Sequence, residues 1–329
     1  MMRPSAALCL LLAALPVSRA DAHELAGTWT AAVSEDRPDR LDFSLRTGRS
    51  EQSGSPFDRS QFSGLTAAQV GSATRVPVEF ELRRQAGTIA FEGTFRAGHG
   101  AGEFTFEPNP DFPGMLRKVG VELDAKHGEE EHELFTLAIF DVTTDFVRSM
   151  QAIGYDVPLE KYVEFRIFSV DPTYVREMAA IGFDHLSADK LVETRIHGAT
   201  PEFIRHMRSD GQDLSLDQYI QSRIFQVTPE FEGEMRQAGY PGLDHDMLVQ
   251  FRIHGVSAQF IQQLRELGYS RIPPDQLVAM RIHGVTPEFI RRVAAAGYRK
   301  VPVEKLVQMR IFDIEPEMVR ALDDASRGD

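Results

Sequence analysis

The dipeptide Arg-Ile recurs at Arg166, Arg195, Arg223, Arg252, Arg281 and Arg310, each 28 or 29 residues after the last, with a degenerate earlier copy at Ala138-Ile139. Fixed-period self-similarity on this scale restricts the chain to stacked supersecondary units, because one such unit cannot bury its apolar face alone. An aromatic residue followed eight positions later by glycine keeps the same period: Phe112/Gly120, Phe146/Gly154, Tyr174/Gly182, Phe203/Gly211, Phe231/Gly239, Phe260/Gly268 and Phe289/Gly297. Met318 opens a final copy.

Each unit reads as two short helices. The first starts at an N-cap oxygen (Asp171, Thr200, Thr228, Ser257, Thr286), usually followed by Pro172, Pro201, Pro229 or Pro287 at the first helical position. A Ser, Thr or Asp oxygen satisfies free backbone N–H groups there, and proline loses no hydrogen bond. Acidic residues such as Glu202, Glu230 and Glu288 follow, favoured by the helix dipole. The stripe Phe289, Ile290, Val293, Ala296 has helical spacing, and the glycine stops the helix as a left-handed cap. The second helix begins near Pro158, Ser187, Ser215, Asp244, Pro273 and Pro302, buries pairs such as Leu248-Val249 and Leu277-Val278, and ends at Arg-Ile. The segment "MRIHGVTPEFIRRVAAAGY" is therefore a helix stop, a helix start and another stop, with no catalytic step in it.

The six arginines are expected to form a ladder. A basic stripe for an acidic partner is one reading. The favoured one places each Arg in the last turn of its own helix, where it complements the dipole and pairs with a nearby acid. The position after Arg-Ile holds His197, His254 or His283 in three copies and Phe140, Phe168, Phe225 or Phe312 in the others. Gly198, Gly255 or Gly284 follows only the histidines, which predicts two subtypes of turn. Equivalent histidines in neighbouring repeats stand about 9–10 Å apart at normal helix spacing. Zinc ligands sit at about 2 Å, so the row makes no metal site. The arginines and these three histidines are the candidate interaction surface; no catalytic, cofactor-binding or metal-binding residue is assigned.

Before the repeats the period is two. Trp29, Ala31 and Val33 alternate with polar or small neighbours, as do Leu41, Phe43 and Leu45; Val76, Val78, Phe80 and Leu82; Ile89, Phe91 and Phe95; and Phe104 with Phe106. This reads as at least five antiparallel strands with one face buried. Gly87 marks a tight hairpin and "RAGHGAG" (residues 96–102) a looser one. The Ser/Gly/Gln-rich stretch from Thr47 to Arg75 reads as a connection anchored only by Phe57, Phe62 and Leu65. The fold class is thus α+β: an antiparallel β-meander over residues 23–109, then an α-solenoid over 110–329 of about seven helix pairs and a final capping helix. The inward β positions are bulky enough to fill the interior themselves.

Residues 1–22 have the pattern of an export leader: Arg3, then the apolar run Ser5 to Val17, then Ala20-Asp21-Ala22. That places the mature chain in the periplasm or outside the cell. Cys9, the one cysteine, lies in the leader, so the mature chain has neither disulfide nor thiol nucleophile. The formal charge of −13 argues against nucleic-acid and anionic-membrane partners. The insertion "HGEEEHELF" (His127 to Phe135) superficially resembles a zinc-peptidase helix, but Thr136 stands where a second ligating His would be needed. No phosphate loop or nucleophile elbow occurs.

The unit "LVAMRIHGVTPEFIRRVAAAGYRKVPVEK" resembles tandem repeats of bacterial envelope proteins that often follow the metallopeptidase domain of antibiotic-sensor transducer relatives. "QFSGLTAAQ", "FELRRQAGTIAFEGTFRAGHGAGEFTFEPNPDF" and "LFTLAIFDV" are similar to the β-module that commonly precedes those repeats. The resemblance implies an extracytoplasmic sensing or interaction segment. The membrane helices and zinc motif of the transducers are missing from this sequence, so peptidase activity is not carried over. The expected function is a non-enzymatic, exported scaffold that binds a protein or peptide through its repeats, without a cofactor. The alternatives are a sensor of a small ligand or cell-wall fragment using the β domain, and an enzyme of unrecognised type.

Overall fold

The computed structural model describes residues 25–48, 50–53, 56–123, 129–209, 211, 213–315 and 317. The leader, His127 and Gly128 of the insertion, and Met318 of the final copy lie outside the described residues. The chain forms two compact units, Met1–Ile167 and Phe168–Asp329.

Among the described residues of the first unit eight strands form one sheet: β1 Leu25–Val33, β2 Arg40–Thr47, β3 Ser50–Ser53, β4 Phe57–Asp58, β5 Phe62–Ser63, β6 Val76–Arg84, β7 Gly87–Arg96 and β8 His99–Pro108. The order is β3-β2-β1-β8-β7-β6-β5, with every pair antiparallel. β4 pairs with β2 and β5 with β6. The short segment 57–63 therefore draws two distant strands together and curls the sheet around its apolar face.

That face is aromatic. Trp29 packs on Phe43, Phe80, Phe91 and Phe95 with ring centroids 5.4–6.1 Å apart, and Phe80 stacks on Phe91 at 4.8 Å. Phe57 and Phe62 add to it, and Leu65 is also buried. The five strands read from the alternation are all present. Three more, β3, β4 and β5, fall in the stretch read as a connection; strands of two to four residues are too short to show a period.

The looser hairpin is a second correction. Only Ala97 and Gly98 turn; His99 to Gly102 already belong to β8. Gly100 and Gly102 serve close packing. A Cβ on Gly102 would lie 1.9 Å from the Glu92 carbonyl oxygen, and one on Gly100 would lie 2.7 Å from the Phe95 ring.

A short helix, α1 Ala67–Val70, lies between β5 and β6, and after the sheet come α2 Phe112–Arg117, α3 Glu130–Ile139, α4 Thr144–Gln151 and α5 Leu159–Ile167. α3 packs against β7 and β8, where Phe135 stacks on Phe104 at 5.3 Å. Gln85, in the β6–β7 hairpin, accepts from the Thr144 N–H at 2.8 Å and so caps α4 from outside the helix.

In the second unit first helices α6 Pro172–Ala180, α8 Pro201–Arg208, α10 Pro229–Gln237, α12 Ala258–Glu266 and α14 Pro287–Ala295 alternate with second helices. Those are α7 Ala188–Ile196, α9 Leu216–Phe225, α11 His245–His254, α13 Pro274–Ile282 and α15 Val303–Ile311. Successive second helices from α9 to α15 touch, as do α12 and α14. One core runs unbroken from Val227 to Leu306. This is a stack of repeats, each buried against its neighbours.

The caps lie where the residue pattern puts them. Asp171, Thr200, Thr228, Ser257 and Thr286 each accept from the N–H of the aromatic residue three positions on, at 2.8–3.3 Å. Gly182, Gly211, Gly239, Gly268 and Gly297 have positive φ.

The two expected turn subtypes are one conformation. Gly198, Gly255 and Gly284 have φ of 69–70°, and Asp141, Ser169, Gln226 and Asp313 take φ of 51–56° at the same repeat position. The left-handed form costs an L residue about 1–2 kcal/mol, and glycine gives back roughly 0.5–1 kcal/mol of that in chain entropy. Gln226→Gly should therefore raise stability by about 0.5–1 kcal/mol, read as a higher denaturation midpoint. An unchanged or lower midpoint would mean that the Gln226 side chain contributes to the turn.

Tyrosines tie consecutive repeats. The Tyr240 hydroxyl donates to the Ile272 carbonyl at 2.9 Å and the Tyr269 hydroxyl to the Val301 carbonyl at 2.8 Å. Burial pushes both phenols above the ordinary tyrosine value of about 10. The folded chain keeps these protons where the unfolded chain releases them. Their contribution is complete below about pH 10 and is lost as pH rises beyond it. The urea midpoint should fall as pH rises above about 10, and Tyr240→Phe with Tyr269→Phe should flatten that fall; an unflattened fall would assign it to other groups.

Candidate functional site

The arginine ladder exists, but its partners differ from those expected. Each guanidinium reaches back to the aromatic residue near the start of the first helix of its own repeat. Arg166 lies over Phe146 at 5.1 Å, Arg195 over Tyr174 at 3.8 Å, and Arg223 over Phe203 at 5.3 Å. Arg252 lies over Phe231 at 3.8 Å, Arg281 over Phe260 at 5.0 Å, and Arg310 over Phe289 at 5.2 Å.

Three of them also donate to a carbonyl of the turn one repeat earlier. Arg166 reaches Phe140 at 2.9 Å, Arg195 reaches Ser169 at 2.6 Å and Arg281 reaches His254 at 3.1 Å. Ion pairs within 4 Å occur only at the ends of the series among the described residues, Asp141 for Arg166 and Glu315 for Arg310. All six arginines lie in the last turn of their own helices, as expected; Arg166, Arg195 and Arg281 also reach the carbonyl end of the preceding repeat, and in the middle of the series the ring face stands where a carboxylate was expected. Burial pushes Arg252 below the ordinary arginine value, partly offset by the Glu234 carboxylate.

The glycine of the His-Gly copies fits the same joint. A Cβ on Gly255 would stand 2.9 Å from an Arg281 nitrogen, and one on Gly198 would stand 3.1 Å from Arg223 Nε. His197 and His283 are exposed, and His254 is half-buried with Nε2 3.1 Å from Gln250 Oε1. Among the described residues no three His, Cys, Asp or Glu side chains gather as a metal would require.

The residue that sequence reasoning passed over is the isoleucine of Arg-Ile. Among the described residues the exposed large apolar side chains are Ile167, Ile196, Ile224, Ile253, Ile282 and Ile311, 40–54% exposed, and Phe312. All stand at one repeat position or directly beside it. The arginine before it leans over the ring of its own repeat, with Arg223 and Arg281 still exposed, and the isoleucine one step on is rotated about 100° round the helix, onto the outer face. The signal was present in the dipeptide, which keeps Ile while its successor alternates between His and Phe.

Two other places bring polar side chains together. Ser222 Oγ lies 2.9 Å from His245 Nε2, whose Nδ1 is 3.6 Å from Asp246 Oδ1. The order of groups is that of a hydrolytic triad, but Ser222 is 0% exposed and the Asp contact is too long for a hydrogen bond. A nucleophile sealed from substrate does no chemistry, and the pair serves to join α9 to α11.

In the first unit the aromatic face of the sheet is filled by its own side chains. A depression of about 560 Å³ is lined by Glu79, Glu81, Arg83, Glu92 and Glu103. Glu79, Glu92 and Glu103 stand directly opposite one another on three strands, an arrangement of like charges that repels.

The geometry defines a class: a curled antiparallel β domain followed by α-helical repeats, each clamped internally by an arginine–aromatic pair and three of them bonded to the preceding turn by the same arginine. Compared with protein-family models, curated proteins and solved structures, the chain matches none. Among the described residues no helix is long and apolar enough to cross a membrane.

Proposed function

We propose that the chain is an exported, non-catalytic binding protein that receives a polypeptide partner on the outer face of its second helices. The observation that carries this is the isoleucine position: among the described residues the exposed large apolar side chains stand there or, for Phe312, directly beside it, and are not scattered over the surface. Exposed apolar residues that gather in one place mark interaction sites, whereas single scattered ones need no explanation. Helical repeats suit the role because they present equivalent residues at regular intervals. The leader pattern and the resemblance to extracytoplasmic repeat segments support the exported location.

The arginines hold the stack together in this reading and do not face the partner. The test uses the whole chain and an Ile253→Asp/Ile282→Asp variant as parallel baits for a cell-envelope extract. Polypeptides retained by the first should be depleted at least ten-fold on the second, with the melting temperature unchanged because both sites are about half exposed. Equal retention on both baits would remove the second helices from the binding face.

A further inference from the structure

We infer that the partner segment is cationic: an amphipathic helix that lays an aliphatic edge on the isoleucine row and a Lys/Arg edge on a parallel acidic row. This rests on the docking face proposed above and adds its chemistry. On α11 the outer face carries Asp246, Gln250 and Ile253, and on α13 Asp275, Ala279 and Ile282. Steps of four and three residues keep such a trio on one helix face, and seven residues separate its ends by about 10 Å. The first-turn acid recurs as Asp217 on α9, which Lys190 pairs at 2.8 Å, and as Glu304 on α15, which accepts from Gln276 Nε2 at 2.6 Å; all four acids are exposed.

Because α9, α11, α13 and α15 pack side by side, the trios line up as two rows crossing the helices. One row is apolar and one is anionic, with uncharged residues between them on α11 and α13. The helix dipole favours an acid in the first turn whatever the function. It does not explain why the opposite end of the same face is an exposed isoleucine where a helix C-terminus favours a cation. The cation at that end of each helix is the repeat arginine, and it is turned onto a ring of its own repeat. The net charge of −13 adds to the same field.

The separation of about 10 Å between the rows is the width of an α-helix with its side chains, and neighbouring second helices stand about 8–10 Å apart, close to two turns of such a helix. A nucleic acid or an anionic lipid surface would be repelled by the acidic row.

Three synthetic helical peptides of about three heptads (~30 Å) would share one leucine edge and carry Lys, Gln or Glu on the other. Each is titrated against the whole chain, an Asp246→Asn/Asp275→Asn variant and an Ile253→Ser/Ile282→Ser variant, by fluorescence anisotropy at low and high salt. The Lys peptide should bind at least ten-fold more tightly than the Gln peptide and the Glu peptide least. The Asn variant and high salt should each remove most of that advantage, and the Ser variant should lose binding of both Lys and Gln peptides.

Equal or tighter binding of the Gln or Glu peptide overturns the cationic inference and leaves the docking face standing. Undiminished binding of the Lys peptide to the Ser variant overturns the docking face itself. Binding to anionic vesicles in place of peptide, or a concentration-dependent dimer abolished by the Ser variant, would assign the face to a lipid surface or a second copy and also overturn the inference.

Discussion

Gly102→Val should unfold the β domain at ambient temperature or cost it about 3 kcal/mol or more, the upper range for inserting atoms into a closed core. Gly102 pairs with Trp29 on one side and Gly93 on the other. A Cβ there would stand 1.9 Å from the Glu92 carbonyl oxygen and 2.6 Å from the Gly93 Cα. Both neighbours are backbone and cannot swing aside. Gly93 is constrained too, since a Cβ on it would meet the Trp29 indole at 2.8 Å and the Ala101 carbonyl at 2.3 Å. The Trp29 indole nitrogen donates to the Glu92 carbonyl at 3.1 Å, so the clash strikes the group that fixes the ring. Trp29 is the chain's one tryptophan and is 1% exposed, so its emission should shift to the red in the variant. A variant with native emission would mean that Gly102 is only a turn residue, as the glycine-rich stretch first suggests.

Arg252→Ala should destabilise the repeat array by about 2–3 kcal/mol. A desolvated cation over a ring contributes about 2 kcal/mol, and the buried aliphatic stem adds packing. Arg252 has the shortest such geometry together with Arg195, at 3.8 Å from its ring centroid, and it bridges the two helices of its repeat, α10 and α11. Removing it leaves Phe231 without its cover. A double-mutant cycle with Phe231→Leu separates this pair from general loss of packing, and a coupling of about 1 kcal/mol or more is expected. Additive effects would show that the two residues stabilise independently and that the ladder is a by-product of the repeat.

Local chemistry is what a sequence shows most directly, and these repeats are built on it. Thr286 and Pro287 set a helix start and Gly297 a stop within a dozen positions, so the helices were legible. The arginine partner was not, because the ring lies 20 or 21 residues upstream across a whole helix and turn (Phe146 to Arg166, Phe231 to Arg252). Both columns were visible, and their offset of 20 or 21 residues was the signal that joins them. Ser169 and Gln226 hid the common turn because they take a left-handed conformation that their identity does not announce. Glycine misled in the opposite direction: at Gly100 and Gly102 it makes room for rings and backbone, and nothing in a run of glycines separates that use from a turn. The isoleucines went unnoticed for a related reason, since exposure depends on which way the neighbouring arginine turns.

Arg281 and Ile282 are adjacent in sequence and assigned opposite roles, which makes them the most direct test of the account. Melting temperature and retention of polypeptides from an envelope extract would be measured for Arg281→Ala and Ile282→Ser in the whole chain. Arg281→Ala should lower the melting temperature and retain its partners well below it. Ile282→Ser should keep the melting temperature and lose retention. An Arg281→Ala protein of native stability that captures nothing, beside an Ile282→Ser protein that captures normally, would place the binding face on the arginine ladder and contradict the account.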